Sequence, residues 1–249
     1  MKIESSKNKM MFGILGYPNS GTTLLNNILE STDNAFSLGE PLTTIQDGNE
    51  ENIRLGKIQD SLLYSGSIET FIGDVFLQLY NTKYTLGCIK ETYWSETSFN
   101  HKSCYKYLVN SDYIDGIFFV FRNPLYAYNR FKLKHRTSKW ERLNLNEFME
   151  DYVGNFELYN NYPKIKSSII YEDLCCNNPI KYLNSRISSF QIIGDFNLKK
   201  TGFLYENNTA NNSTKINAAN NNTDCLSLKD IRKITKKLMP IYNQVRIGR

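Results

Sequence analysis

Short, unbroken apolar runs recur along the chain, separated by stretches with helical spacing. Residues 10–15 form the first run, and 24–29 the first stretch of helical spacing. Residues 86–89 make a second run, 116–121 (Gly-Ile-Phe-Phe-Val-Phe) the clearest buried strand, and 168–171 another. Helices are predicted around 67–80, 125–135, 145–162, 179–190 and 228–245. The last of these opens on Ser227 as N-cap, with Asp230 in its first turn. Apolar strands alternating with helices predict an α/β fold, a three-layer sandwich whose central parallel sheet is covered on both faces. Ligands of such folds bind beyond the carboxyl ends of the strands.

One region breaks this pattern. Residues 205–224 carry Asn207, Asn208, Asn211, Asn212, Asn217, Asn220, Asn221 and Asn222 with almost no apolar residue. They predict a mobile loop within a single domain spanning 1–249. Asn-x-Ser/Thr triplets such as Asn207-Asn208-Thr209 belong to this composition, and no signal peptide argues for their glycosylation. The start, residues 1–9, is polar, and no run reaches the length of a membrane span. A cytoplasmic protein with no membrane partner is expected. Five cysteines, without paired Cys-x-x-Cys motifs, read as free thiols in a reducing compartment rather than a zinc site. Of 249 residues, 41% are hydrophobic, enough for a substantial core. Thirty basic against twenty-five acidic residues give a net charge of +5, which suits an anionic small ligand but does not argue for nucleic acid.

The first apolar run leads into Gly16-Tyr17-Pro18-Asn19-Ser20-Gly21-Thr22-Thr23 and then a helix. A strand, a glycine-bounded turn and a helix start make an anion cradle, because exposed backbone amides and the helix dipole converge there. The glycine spacing is that of a P-loop, but Thr22 occupies the place where a nucleotide triphosphatase needs Lys. The loop is therefore expected to hold a phosphate ester without a lysine reaching for a γ-phosphate.

The run 17–23 resembles the phosphosulfate-binding loop of sulfotransferases that use 3′-phosphoadenosine 5′-phosphosulfate (PAPS), which often reads Tyr-Pro-Lys-Ser-Gly-Thr-Thr. Two further motifs follow in the family's order. Arg122-Asn123-Pro124, at the end of the clearest strand, resembles the family's 3′-phosphate-binding segment. A guanidinium suits bidentate grip of a phosphate, and Pro124 suits a helix's first turn. The family's Ser, eight residues after the Arg, is replaced by Arg130, with Asn129 before it. Tyr171-Glu172-Asp173-Leu174, followed by Asn178-Pro179, is the third match. The resemblance places Tyr171 near the adenine and leaves Glu172 and Asp173 to tie local backbone. On this resemblance Pro18, Asn19, Ser20, Gly21, Thr22, Thr23, Arg122, Arg130 and Tyr171 bind the cofactor. Lys215, in the late loop, is assigned with them, and no metal is required.

Sulfuryl transfer needs a base for the acceptor proton and positive charge for the transfer. Glu40, in Ser37-Leu38-Gly39-Glu40-Pro41, is the candidate base by resemblance to protein-tyrosine sulfotransferases. Lys90 is the candidate cation at a strand's carboxyl end, and Glu91 is a second candidate base. Thr92 stands where cytosolic members place a catalytic His, and the two histidines, His101 and His135, match no family position. Asn19 replaces the family's Lys or Arg, and charged donors contribute roughly twice as much as neutral ones. Three functions stay open: a PAPS-dependent sulfotransferase acting on a hydroxyl or amine of a small molecule, glycan or protein tyrosine; a P-loop kinase or nucleotidase; and a PAPS-binding protein without transfer. The acceptor pocket is expected among variable loops rich in Tyr93, Trp94, Phe99, Tyr105 and Tyr107, and a homodimer is left open.

Overall fold

The computed structural model describes residues 9–48, 66–94, 104–135, 144–175, 179–187 and 223–247. Lys215 and most of the Asn-rich stretch lie outside them. The strands are β1 (Met10–Gly16), β2 (Ala35–Gly39), β3 (Leu86–Thr92), β4 (Gly116–Phe121) and β5 (Ile165–Ile170). They form one sheet in the order β2-β3-β1-β4-β5, and every pairing is parallel. The helices are α1 (Thr22–Glu30), α2 (Pro41–Gln46), α3 (Ile68–Asn81), α4 (Tyr105–Asn110), α5 (Pro124–His135), α6 (Leu145–Asn161), α7 (Tyr171–Leu174), α8 (Pro179–Ile187), α9 (Leu228–Lys237) and α10 (Met239–Ile247).

Strand alternation divides the core into two layers. Met11, Leu15, Ile89, Ile117, Phe119 and Phe121 point to one face, against side chains of α3, α4, α6, α9 and α10. Phe12, Ile14, Cys88, Phe118 and Val120 point to the other, against α1 and α8. Burial on both faces is why these strands read as unbroken apolar runs rather than alternating ones. The predicted α/β sandwich is therefore the observed one.

Local chemistry sets several helix ends. Ser67 accepts a bond from the Thr70 amide at the start of α3, and Ser227 does the same for Asp230 at α9. Asn144 and Glu147 form a capping box at α6. The single helix predicted over 228–245 is two, because Pro240 cannot supply an amide to a continuous ladder and instead occupies the first turn of α10. The strand predicted over 168–171 starts earlier and stops at Ile170, so Tyr171 opens α7. Among the described residues Cys88, Cys104, Cys175 and Cys225 form no disulfide. No described helix is long and apolar enough to cross a membrane.

The order of strands positions the site. From β1 the chain passes to the edge strand β2, returns to β3 between them, and then crosses to β4 and β5 on the other side. The connections diverge between β1 and β4, which opens a crevice beyond their carboxyl ends. The segments after β1 and β4 are 17–21 and 122–123, the first two sequence motifs.

Candidate functional site

The loop after β1 is built around backbone. Ser20 donates its amide to the Tyr17 carbonyl at 3.0 Å, closing the turn. Asn19 adopts φ 63°, a left-handed conformation that asparagine tolerates better than most residues. Gly21 has φ 107° and precedes α1 as its N-cap. A β-carbon there would run into the Tyr171 ring, so glycine is required by both backbone and space. No described backbone carbonyl takes the amides of Asn19, Gly21, Thr22 or Thr23. The Ser20 hydroxyl is fully buried and makes no hydrogen bond. A buried hydroxyl and a set of amides without acceptors at a helix start fit an anionic ligand. Pro18 and Asn19 are half-buried, Thr22 is buried and Thr23 is exposed.

Across the crevice, Arg122 follows β4 and is 5% exposed. Its Nη1 donates to the Asn19 carbonyl at 3.3 Å. Its guanidinium lies over the Tyr171 ring, 4.2 Å from the centroid. Three of the predicted binding elements (the loop, Arg122 and Tyr171) thus meet at one point. Tyr17 fixes this meeting: its hydroxyl donates to the Arg122 carbonyl at 2.7 Å and accepts from the Arg122 amide at 2.9 Å. Burial pushes the Tyr17 phenol well above its ordinary pKa, so it stays a donor.

Neighbouring residues carry the support. Asn123 caps α5, its Oδ1 accepting from the Leu125 amide, with Pro124 next in the first turn. Glu172 accepts from the Asn123 amide at 3.0 Å and from the Tyr242 hydroxyl at 2.8 Å. It therefore ties α7, the start of α5 and α10 together, in keeping with its expected local role. Arg130 is exposed on α5. The inward position is that of Asn129, whose Oδ1 accepts from the Cys225 amide at 2.9 Å and anchors the segment leading to α9.

One strand away, Glu40 and Lys90 meet although fifty positions apart in sequence. Lys90 Nζ donates to Glu40 Oε1 at 2.6 Å, and Thr92 Oγ1 donates to the same oxygen at 2.7 Å. The lysine side chain is 7% exposed and the glutamate 44%, so a buried cation holds an accessible carboxylate. Thr92 pairs with Gly16 in the β1–β3 register, which sets this pair beside the cradle. Residue type alone sets Thr92 aside, because it cannot act as a base. Its role as a donor to Glu40 depends on β2 and α2, neither of which the apolar pattern predicts.

Glu91 points to the opposite face of β3 and is fully buried. Its Oε1 accepts from the amides of Leu42 at 2.7 Å and Thr43 at 3.3 Å, and its Oε2 from the Thr43 hydroxyl at 2.7 Å. Burial raises its pKa to about 7 against the lowering effect of the Thr43 hydrogen bond. The Tyr93 and Tyr105 rings pack at a tilt of 37° with centroids 4.6 Å apart, and the Tyr93 amide donates to the Gly16 carbonyl. Among the described residues no group of His, Cys, Asp or Glu could hold a metal ion.

No protein-family model matches the sequence, and no curated protein matches it. Among solved structures, the chain is similar to the sulfotransferase domain from the Synechococcus PCC 7002 olefin synthase. That likeness has 15% identity and a TM-score of 0.48, covering 96% of this chain and 98% of the other. It is also similar to mouse sulfotransferase SULT7A1 complexed with PAP, with 13% identity and a TM-score of 0.48, covering 98% of this chain and 90% of that one.

Proposed function

We propose that this protein is a sulfotransferase that takes its sulfuryl group from PAPS and passes it to a hydroxyl or amine of a small-molecule acceptor. The observation that carries this is the convergence of an unsatisfied anion cradle at 16–23, Arg122 and Tyr171 beside the Glu40–Lys90–Thr92 cluster. The amides of Gly21, Thr22 and Thr23 and the Ser20 hydroxyl are the groups suited to the phosphosulfate, and Arg122 to the 3′-phosphate. Tyr171 offers an aromatic face for the adenine. Bound there, the nucleotide supplies the activated sulfuryl group.

The protein's own part is a proton and a charge. Glu40 is placed to accept the acceptor's proton, being accessible and held by two donors on one oxygen. Lys90 sets a buried cation beside that exchange. Glu91 has both oxygens engaged by α2, so the base is assigned to Glu40 rather than to Glu91. With Thr22 in the lysine position of a kinase loop, a triphosphate is disfavoured.

A second reading is favoured by Asn19, which brings no charge to the departing nucleotide: a PAP-binding protein without transfer. Thermal shift with 3′-phosphoadenosine 5′-phosphate tests the shared premise. A rise of melting temperature with this nucleotide and none with ATP is expected, because a ligand of the folded state alone stabilises it. Incubation with radiolabelled PAPS and an acceptor panel then separates the two. Label transferred to a phenol, alcohol, amine, glycan or tyrosine peptide supports the enzyme and names its acceptor class; binding without transfer supports the second reading.

A further inference from the structure

A Ser, Thr, Asp or Asn at an N-cap turns its own side chain back onto the free amides of the first turn. Glu40 is the N-cap of α2 and makes no such bond. It has φ 55° and ψ 40°, a left-handed conformation rare outside glycine and asparagine. Its carboxylate is directed to Lys90 and Thr92 instead. The amides it leaves behind, those of Leu42 and Thr43, are taken by Glu91 from the adjacent strand. Pro41 supplies no amide, so Glu91 meets the donors of that turn that remain at its start.

Lys90 and Thr92 flank Glu91 in sequence but point to the other face of β3. Three consecutive residues of one strand end therefore meet the junction of β2 and α2 from two faces, Lys90 and Thr92 at the Glu40 carboxylate and Glu91 at the amides of Leu42 and Thr43. We propose, resting on the assignment of Glu40 as base, that Glu91 is the positioning residue of the site. It caps α2 in place of the N-cap side chain, and this releases Glu40 to face the cleft. The capping contact is backed by the Glu40 amide, which donates to the Lys90 carbonyl at 2.8 Å and pins the junction of β2 and α2 to β3.

Charged and titratable groups act on Glu91 from both elements that meet it: Glu40 at the start of α2 and Lys90 on β3, with the Thr43 hydroxyl in direct contact. Burial pushes its carboxyl up to about 7, so the pH profile adds a readout beside the geometry.

The experiment compares wild type, Glu91→Ala and Glu91→Gln in three measurements: a crystal structure, PAP binding by calorimetry, and the pH profile of sulfuryl transfer. In Glu91→Ala, Glu40 is expected to leave Lys90 and turn to the amides of Leu42 and Thr43. Its kcat falls at least ~100-fold while PAP affinity stays within about threefold, the range expected for loss of a positioned base. Glu91→Gln keeps an acceptor for the amides, recovers at least a tenth of wild-type kcat, and loses the inflection near neutral pH. The idea is overturned if Glu40 stays on Lys90 in a folded Glu91→Ala protein, or if kcat there is within threefold of wild type. If Glu91→Ala does not fold, Glu91→Leu, which fills the same space without an acceptor, takes its place, and Glu40 staying on Lys90 there, or kcat within threefold of wild type, overturns it. A wild type that binds no PAP removes the sulfotransferase assignment instead, and the crystal structures still decide whether Glu91 directs Glu40.

Discussion

The crevice has two walls made in different ways. The wall after β1 and β4 is mostly backbone: free amides at α1, a left-handed Asn19, an obligatory Gly21, and Arg122 clamped through its own peptide by Tyr17. The wall after β3 is side chains: Glu40, Lys90, Thr92 and Glu91, drawn from two strand ends and bonded across the gap. A backbone wall binds whatever presents the right anion and depends on few side chains. A side-chain wall can hold a proton acceptor in place, and single substitutions disable it. Binding and chemistry should therefore separate under mutation.

The largest separation is expected from Glu40→Gln. Turnover should fall on the order of 10³-fold, within the range for a lost general base, while PAP affinity by calorimetry stays near wild type. Next is the pH dependence of stability. Glu91 binds its proton more tightly in the folded protein than its ordinary carboxyl pKa of 4.5 allows, holding it to about 7. The stability this confers is full below 4.5 and is lost as pH rises through 7. Relative to Glu91→Gln, urea denaturation should show wild type losing about 3 kcal/mol across that window.

On the other wall, Arg122→Ala should weaken PAP binding by roughly 10- to 100-fold, the scale of one lost charged hydrogen-bonding group, and a comparable loss for AMP, which lacks the 3′-phosphate, would show that the 3′-phosphate is not its target. Tyr17→Phe leaves the Arg122 amide and carbonyl without that partner. It should destabilise the fold by about 1–3 kcal/mol in denaturant titration. The smallest effect is expected from Asn19→Lys, which returns a cation to the cradle and should keep or raise turnover. A large loss without unfolding would move the sulfuryl group away from Asn19.

What can be read in advance follows the same division. The cradle, Arg122 and Tyr171 are short local motifs at the ends of apolar runs, and such runs mark buried parallel strands. Glu40 and Lys90 also stand out in the sequence, but their union is not visible there. It requires β2, whose residues Ala35–Gly39 are too short and mixed to stand out, and α2, only six residues long. Glu91 reads as a second base because its residue type and strand-end position suit one. Strand alternation alone sends it to the face opposite Lys90, where α2 receives it. Asn129 shows the same limit: Arg130 draws attention by its charge, yet helical phase turns Asn129 inward to the Cys225 amide.

The Tyr17 hydroxyl joins the ends of the sheet's middle strand and its neighbour at the seam where the chain changes direction. A seam stitched in this way has its width fixed before any ligand arrives. On the proposed reading, little ordering entropy would then remain to be lost there on association, and selectivity among nucleotides would be set by the fit of a rigid slot rather than by closure around the guest.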